Sequence, residues 1–248
     1  MFDPQLIAER HAAVCERLAA AASRAGRPAD SITLVAVTKT WPPGLAIAAH
    51  VAGLRHFGEN RPEELAEKRP AVEEALGGEA GIRWHLIGTL QSRKTRLAAD
   101  YADVFHALER PKIAQRLAAE LRENGRTLPS FVEVNLSGER TKSGLDVSRW
   151  EEDATQRAAV RNMLAGTGAP LPVIGLMTMA PWDAAPDAIR AVFRRCRQLA
   201  EWLSDELPGA PRLALSMGMT DDFEIAIEEG ATHVRVGRAL FGERMREK

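Results

Sequence analysis

The sequence predicts an α/β fold: a single (β/α)8 TIM barrel preceded by one extra N-terminal helix. Three observations lead there. From residue 31 onward, eight short apolar runs alternate with longer amphipathic stretches. Several of the runs are nearly continuous Val, Ile and Leu, as strands of a parallel sheet covered on both faces are. The chain has 248 residues, 45 % of them hydrophobic, which suits one α/β barrel with a sizeable core.

The elements follow in order. Asp3-Pro4 opens the first helix, about 3–25, because Asp is a good N-cap and Pro fits the first helical position. Leu6, Ile7, Val14 and Leu18 recur at helical spacing, and Gly26 and Pro28 stop the run. The strand candidates are ITLVAVTK (32–39), LRHFGEN (54–60), RWHLIG (83–88), DVFHAL (103–108), SFVEVNLS (130–137), PVIGLMTM (172–179), RLALSM (212–217) and THVRVG (232–237). The clearest helix spans 186–207, with Ile189, Val192, Phe193, Cys196, Leu199 and Leu203 in one stripe. Another spans 110–123 and stops at Asn124-Gly125. An open doubly wound sheet also uses βα repeats, but it needs fewer strands, and its dinucleotide fingerprint is absent. No long linker or low-complexity segment divides the chain, so residues 1–248 are read as one domain.

Composition narrows the function. Charged residues make up 27 % and nearly cancel, for a formal net charge of -1, so no basic footprint for nucleic acid exists. Cys15 and Cys196 are far apart and form no Cys-x-x-Cys, which argues for two packed, reduced thiols and a reducing cytosol. The N-terminus mixes acids and bases without an unbroken apolar stretch, and no run approaches the roughly 18 apolar residues of a membrane span. A soluble, cytoplasmic protein is expected. His85 lies mid-strand with no second His at metal-ligand spacing, so no metal site is expected.

In barrels of this kind the site lies where the strands end and the βα loops begin. Those ends carry Lys39, Glu59-Asn60, His85 with Gly88, Asn135 with Ser137, Met177–Met179, Ser216–Met219 and Arg235–Arg238. Side chains alternate along a strand, so Lys39 faces inward if Val35 and Val37 do. A lysine in a partly dry pocket loses proton affinity, and a neutral amine attacks aldehydes. The alternative is a surface lysine just past a strand end. Ser216-Met217-Gly218-Met219 follows the seventh strand, with Thr220 and Asp221 starting a helix and Asp221 and Glu224 at capping-box-like spacing. With Gly237 and Arg238 after the eighth strand, this is where barrel enzymes often bind phosphate, although each glycine alone also suits an ordinary turn. Arg235 alternates against Val234 and Val236, so it points into the barrel and needs a partner. That partner is either a bound phosphorylated heterocycle or a rim acid such as Glu59 or Glu133. His85 alone reads more often as a hydrogen-bonded core residue than as a ligand or base.

Seven motifs in order carry a resemblance: VAVTKTWP around Lys39, HFGEN (56–60), WHLIGTLQSRK (84–94), VNLSGERTKSG (134–144), GLMTMAP (175–181), LSMGMTDD (215–222) and HVRVGRALFG (233–242). Together they resemble the pyridoxal phosphate homeostasis protein family, whose members share the alanine racemase N-terminal-like barrel, over residues 31 to 242. The resemblance implies pyridoxal 5'-phosphate as cofactor, held as an imine on Lys39. It implies phosphate held by Ser216 and the backbone around Met217, Gly218, Gly237 and Arg238, Arg235 near the pyridine nitrogen, and Asn60 and His85 lining the pocket. Two positions depart from the family: Arg238 stands where many members carry a small hydroxyl residue, and Arg61-Pro62 follows FGEN in place of an aromatic residue.

The resemblance implies a carrier or buffer of the cofactor, without turnover, with apo-enzymes as possible recipients. The alternative is an amino-acid racemase or related enzyme. Racemases on this barrel carry a second domain that contributes a tyrosine, whereas Tyr101, the single tyrosine, lies before the fourth strand, at the opposite end. With no room expected for that second domain after the eighth strand, a monomer is expected. An interaction module acting through the loop Gly138–Gly144 is a third reading.

Overall fold

The computed structural model describes residues 2–78, 81–139, 141–166, 168–206 and 212–243. All eight expected strands form: β1 (Thr33–Val37), β2 (His56–Glu59), β3 (Arg83–Leu86), β4 (Val104–Leu108), β5 (Ser130–Asn135), then, after a two-residue β6 (Leu145–Asp146), β7 (Val173–Met177), β8 (Ala214–Ser216) and β9 (His233–Val236). Every pairing is parallel, β4 pairs with β5 and β9 returns to β1, so the eight long strands close into a barrel. β6 was not expected; it adds to the outer end of β5, pairing Val134 with Leu145.

The helices are α1 (Pro4–Arg24), α2 (Pro43–Val51), α3 (Pro62–Ala75), α4 (Thr95–Tyr101), α5 (Pro111–Glu123), α6 (Ala154–Ala165), α7 (Pro186–Glu206), α8 (Phe223–Glu228) and α9 (Arg238–Phe241). Five of them, α1, α2, α3, α5 and α7, begin with Pro, whose missing N–H costs nothing there. Asp3 caps α1 by accepting from the Gln5 N–H at 2.9 Å. Helix α1 packs against α2, α8 and α9 through Ile7, Val14 and Leu18, whereas Leu6 of the expected stripe faces solvent. In α7 the stripe Val192, Phe193, Cys196, Leu199 and Leu203 is buried as expected; Leu207, the expected last residue, lies outside the described residues. Helix α8 starts at Phe223, later than the expected Thr220-Asp221. Asp222 takes the N-cap position, and its carboxylate accepts from the Met219 N–H at 2.5 Å.

The core has two parts. Outward-facing strand residues such as Ala36, Phe57, Trp84, Phe105 and Val234 pack against the helices. Each fully buried large side chain contributes about 1.5–3 kcal/mol. The barrel interior differs from the branched aliphatic filling usual in such barrels. Rings dominate it: His106 stacks on Phe131 at 4.5 Å, and His233 meets Phe131 edge-on at 5.0 Å.

Candidate functional site

The C-terminal ends of the strands enclose a cavity of about 680 Å³. Strand alternation dictates its wall: Val37 and Lys39 continue the parity of Val35 on β1, Glu133 comes from β5, Met177 and Met179 from the end of β7, and Arg235 and Gly237 from β9. Asn60 follows β2, and Gly88 makes its approach possible, since a Cβ there would sit 2.3 Å from the Asn60 carbonyl oxygen. The rim is completed by Met219–Asp222, Arg238 and the 181–184 loop.

Arg235 faces inward and is 5 % exposed. Its Nη1 donates to Ser216 Oγ at 2.7 Å and its Nη2 to the Thr178 carbonyl at 3.2 Å. Neither rim acid is its hydrogen-bond partner. Burial lowers its pKa to about 10, opposed by the charges of Asp222 and Glu133, so the guanidinium stays a cationic donor at neutral pH. Glu133 lines the cavity too. Its Oε1 accepts from Ser143 at 2.6 Å, its buried Oε2 has no partner, and burial raises its carboxyl.

Glu59 is not a rim residue. It lies on the outer face of the sheet, fully buried, and its Oε1 accepts from Lys68 Nζ and Thr38 Oγ1, each at 2.6 Å. Burial pushes its carboxyl up to about 7 against the pull of Lys68.

Lys39, Asn60, Arg235, Gly237 and Arg238 therefore border one cavity, while Ser216, Met217, Gly218 and His85 do not. Ser216 is fully buried, and its hydroxyl accepts from Arg235 instead of facing the cavity. Met217 is buried among apolar neighbours. Gly218 shapes the turn instead. Its φ is +94°, and a Cβ would fall 2.6 Å from Ala226 Cβ and 2.9 Å from Phe223 Cα, so only glycine lets α8 pack so closely. The turn that does reach the cavity is the next one, Met219–Asp222. The charge of Arg238 is engaged by the Asp221 carboxylate across the rim. Arg61 and Pro62 serve as N-cap and first residue of α3.

His85 is a core residue in a polar chain. Its Nε2 meets His56 Nδ1 at 2.9 Å, its Nδ1 meets His106 Nε2 at 2.8 Å, and His106 Nδ1 meets Ser216 Oγ at 2.8 Å. Burial drives His85 and His106 well below the usual histidine range, and His233 down to about 4, so all three rings are neutral at pH 7. Among the described residues no group of three or more His, Cys, Asp or Glu is placed to hold a metal ion. Asn135 organises the following loop, accepting from Ser137 and Gly138 and donating to the Glu139 carbonyl; Arg140 of that loop lies outside the described residues.

Reading the strands one at a time missed His56, His106, His233, Thr220 and Asp222. The histidines share the inward parity of Arg235 and Glu133 on their own strands, and that shared parity was the available signal.

The chain matches the family described as alanine racemase, N-terminal domain, over residues 11–245. It is 40 % identical to the pyridoxal phosphate homeostasis protein of Pseudomonas aeruginosa, covering 96 % of each chain. It is 36 % identical to that of Aquifex aeolicus, covering 95 % of this chain and 97 % of the relative. Among solved structures it resembles PipY of Synechococcus elongatus with PLP bound, with a TM-score of 0.78 and 33 % identity over 95 % of this chain and 100 % of PipY. An alanine racemase from Corynebacterium glutamicum, at 18 % identity and a TM-score of 0.62, shares the fold. On the length of these matches and the identity they hold, the chain belongs to the pyridoxal phosphate homeostasis protein family, built on the alanine racemase N-terminal barrel.

Proposed function

We propose that this chain binds pyridoxal 5'-phosphate in the cavity at the strand ends and serves cofactor homeostasis in the cytoplasm as a carrier or buffer, without turnover. The observation that carries the reading is the gathering of Lys39, Arg235 and Arg238 on one cavity beside the 219–222 turn. That donor set fits a phosphorylated heterocyclic aldehyde: an amine, a buried cationic donor and a rim arginine. When bound, the cofactor supplies an aldehyde that joins reversibly to a primary amine. Lys39, which borders the cavity, would provide that amine. Arg235 offers a fixed donor to the ring, and Arg238 with the backbone of Met219–Asp222 would hold the phosphate. Asn60 lines the wall at the end of β2.

The names of the curated relatives and the PLP-bound PipY structure support this reading. A protein acting as a reservoir needs a recipient, and apo-enzymes are the class that would take the cofactor from it. We take the working unit to be a monomer.

The test is an absorbance spectrum of the protein with pyridoxal phosphate, before and after borohydride, with mass spectrometry of the reduced peptides. We expect one adduct, on the peptide containing Lys39, and no racemisation of amino acids by the same sample. Adducts scattered over surface lysines would sink the site assignment, and steady racemisation would favour the enzyme reading.

A further inference from the structure

Behind the sheet, on the face opposite the cavity, two neighbouring side chains, Lys68 and Glu64, hold the backbone on the two sides of Lys39. Lys39 and Thr40 form the centre of a tight turn in which the Trp41 N–H donates to the Thr38 carbonyl at 3.1 Å. Thr40 has φ +65°, a conformation that β-branched residues rarely adopt. Such a conformation persists only where the surroundings impose it.

The surroundings here are Lys68 and two glutamates. Lys68 is 2 % exposed, and its Nζ donates to the Thr38 carbonyl at 2.9 Å, to Glu59 Oε1 at 2.6 Å and to Glu64 Oε1 at 2.9 Å. The same Glu64 oxygen accepts from the Thr40 N–H. Glu59 Oε1 also accepts from the Thr38 hydroxyl at 2.6 Å. Residue 38 is thus held by its carbonyl and side chain, and residue 40 by its amide. Lys39 lies between them with its side chain on the other face. Glu64 and Lys68 are one turn apart on α3, so a single rigid helix sets both anchor points.

We propose that Lys68, with Glu64 and Glu59, is a positioning residue: it imposes the strained 38–41 turn and thereby sets where the Lys39 amine meets the cofactor aldehyde. The inference rests on the proposed attachment at Lys39. Lys68 touches no wall of the cavity, so its effect should fall on attachment and spare recognition of the rest of the ligand.

The experiment compares wild type, Lys68→Met, Glu64→Gln and the double variant Lys68→Met/Thr40→Gly. Each is titrated with pyridoxal 5'-phosphate, reading the borohydride-trapped Lys39 adduct, and with pyridoxine 5'-phosphate, which lacks the aldehyde. Lys68→Met should lower attachment by about tenfold or more, the scale of a misplaced reacting group, while binding pyridoxine phosphate as wild type does. Glu64→Gln, a milder change at a partly exposed residue, should lower attachment in the same direction. Glycine adopts positive φ without strain, so Thr40→Gly should restore part of the attachment in the Lys68→Met background, which a purely structural ion pair would not permit. Parallel loss of both ligands in Lys68→Met, or wild-type attachment in Glu64→Gln, would overturn the positioning role; the latter decides the matter even if Lys68→Met does not fold. A wild-type protein without a Lys39 adduct would instead overturn the lysine assignment, and this inference with it.

Discussion

The guanidinium of Arg235 is held by the hydroxyl of Ser216, with Nη1 and Oγ 2.7 Å apart and both side chains buried. Arginine has only donors, so Ser216 accepts here and can pass its own proton to His106 Nδ1. His106 then donates to His85, and His85 to His56, at the half-buried end of the chain. The reverse order would leave the Ser216 hydroxyl hydrogen without an acceptor among these groups. One neutral tautomer per ring therefore satisfies the whole chain from the cavity floor to the other mouth of the barrel.

Ser216→Ala breaks this chain and leaves a buried arginine N–H and a histidine nitrogen without partners. The loss should appear in the protein without cofactor, as a destabilisation of about 1–3 kcal/mol. Thermal or urea unfolding of the ligand-free variant reads it. Affinity for inorganic phosphate should stay at the wild-type value, and a variant of normal stability with weakened phosphate binding would restore Ser216 to the phosphate site.

Lys39→Ala should fold as wild type does, because Lys39 lies past the end of β1 and outside the packed layers. Circular dichroism should be unchanged, and the borohydride-trapped adduct should vanish. An unfolded variant would mean that Lys39 carries part of the fold.

The buried rings set the response to acid. His85, His106 and His233 have pKa values below those of unfolded histidine, about 6.5, so the unfolded chain binds protons first as pH falls. Their contribution is fully present above about pH 6.5 and is lost as pH drops below it. Glu59 acts with the opposite sign. Its folded pKa of about 7 lies above the ordinary value of 4.5, so its penalty is full above 7 and is relieved between 7 and 4.5. Burial also lowers His56 and raises Glu133 and Asp222, so four rings face three carboxyls, and unfolding free energy should fall from about pH 6.5 to about pH 5. Glu59→Gln removes one opposing part and should make that fall steeper; a shallower one would reverse the sign assigned to Glu59.

Gly218→Ala should cost about 2–4 kcal/mol, combining a positive φ with overpacking against α8. Since α8 anchors the 219–222 turn through Asp222, phosphate affinity should drop together with stability. A variant that keeps both would show that α8 has room to move.

Much of the fold was legible because it rests on local pattern. The eight apolar runs, the proline and Asp3 starts of the helices and the positions of strand ends all depend on residues near one another in sequence. The start of α8 was misplaced because Asp221 and Asp222 are equally good caps on paper. Asp221 is drawn to Arg238, seventeen residues away, and Asp222 takes the N-cap position with its carboxylate turned back to the Met219 N–H. The inward parity of Lys39 and Arg235 was also legible, because alternation along a strand needs no knowledge of its neighbours.

The division follows the range of the forces involved. Local backbone preference and hydrophobic period, written in the sequence, determined a closed parallel barrel with Lys39, Asn60, Arg235, Gly237 and Arg238 at its mouth. Only the tertiary structure decided what each polar group found there. It gave Ser216 to Arg235, joined His56, His85 and His106 into one chain, and sent Glu59 behind the sheet to Lys68. The physical reason is that a buried polar group must find a partner, and when the barrel closes the nearest one lies on another strand or helix, at a distance that no local pattern encodes.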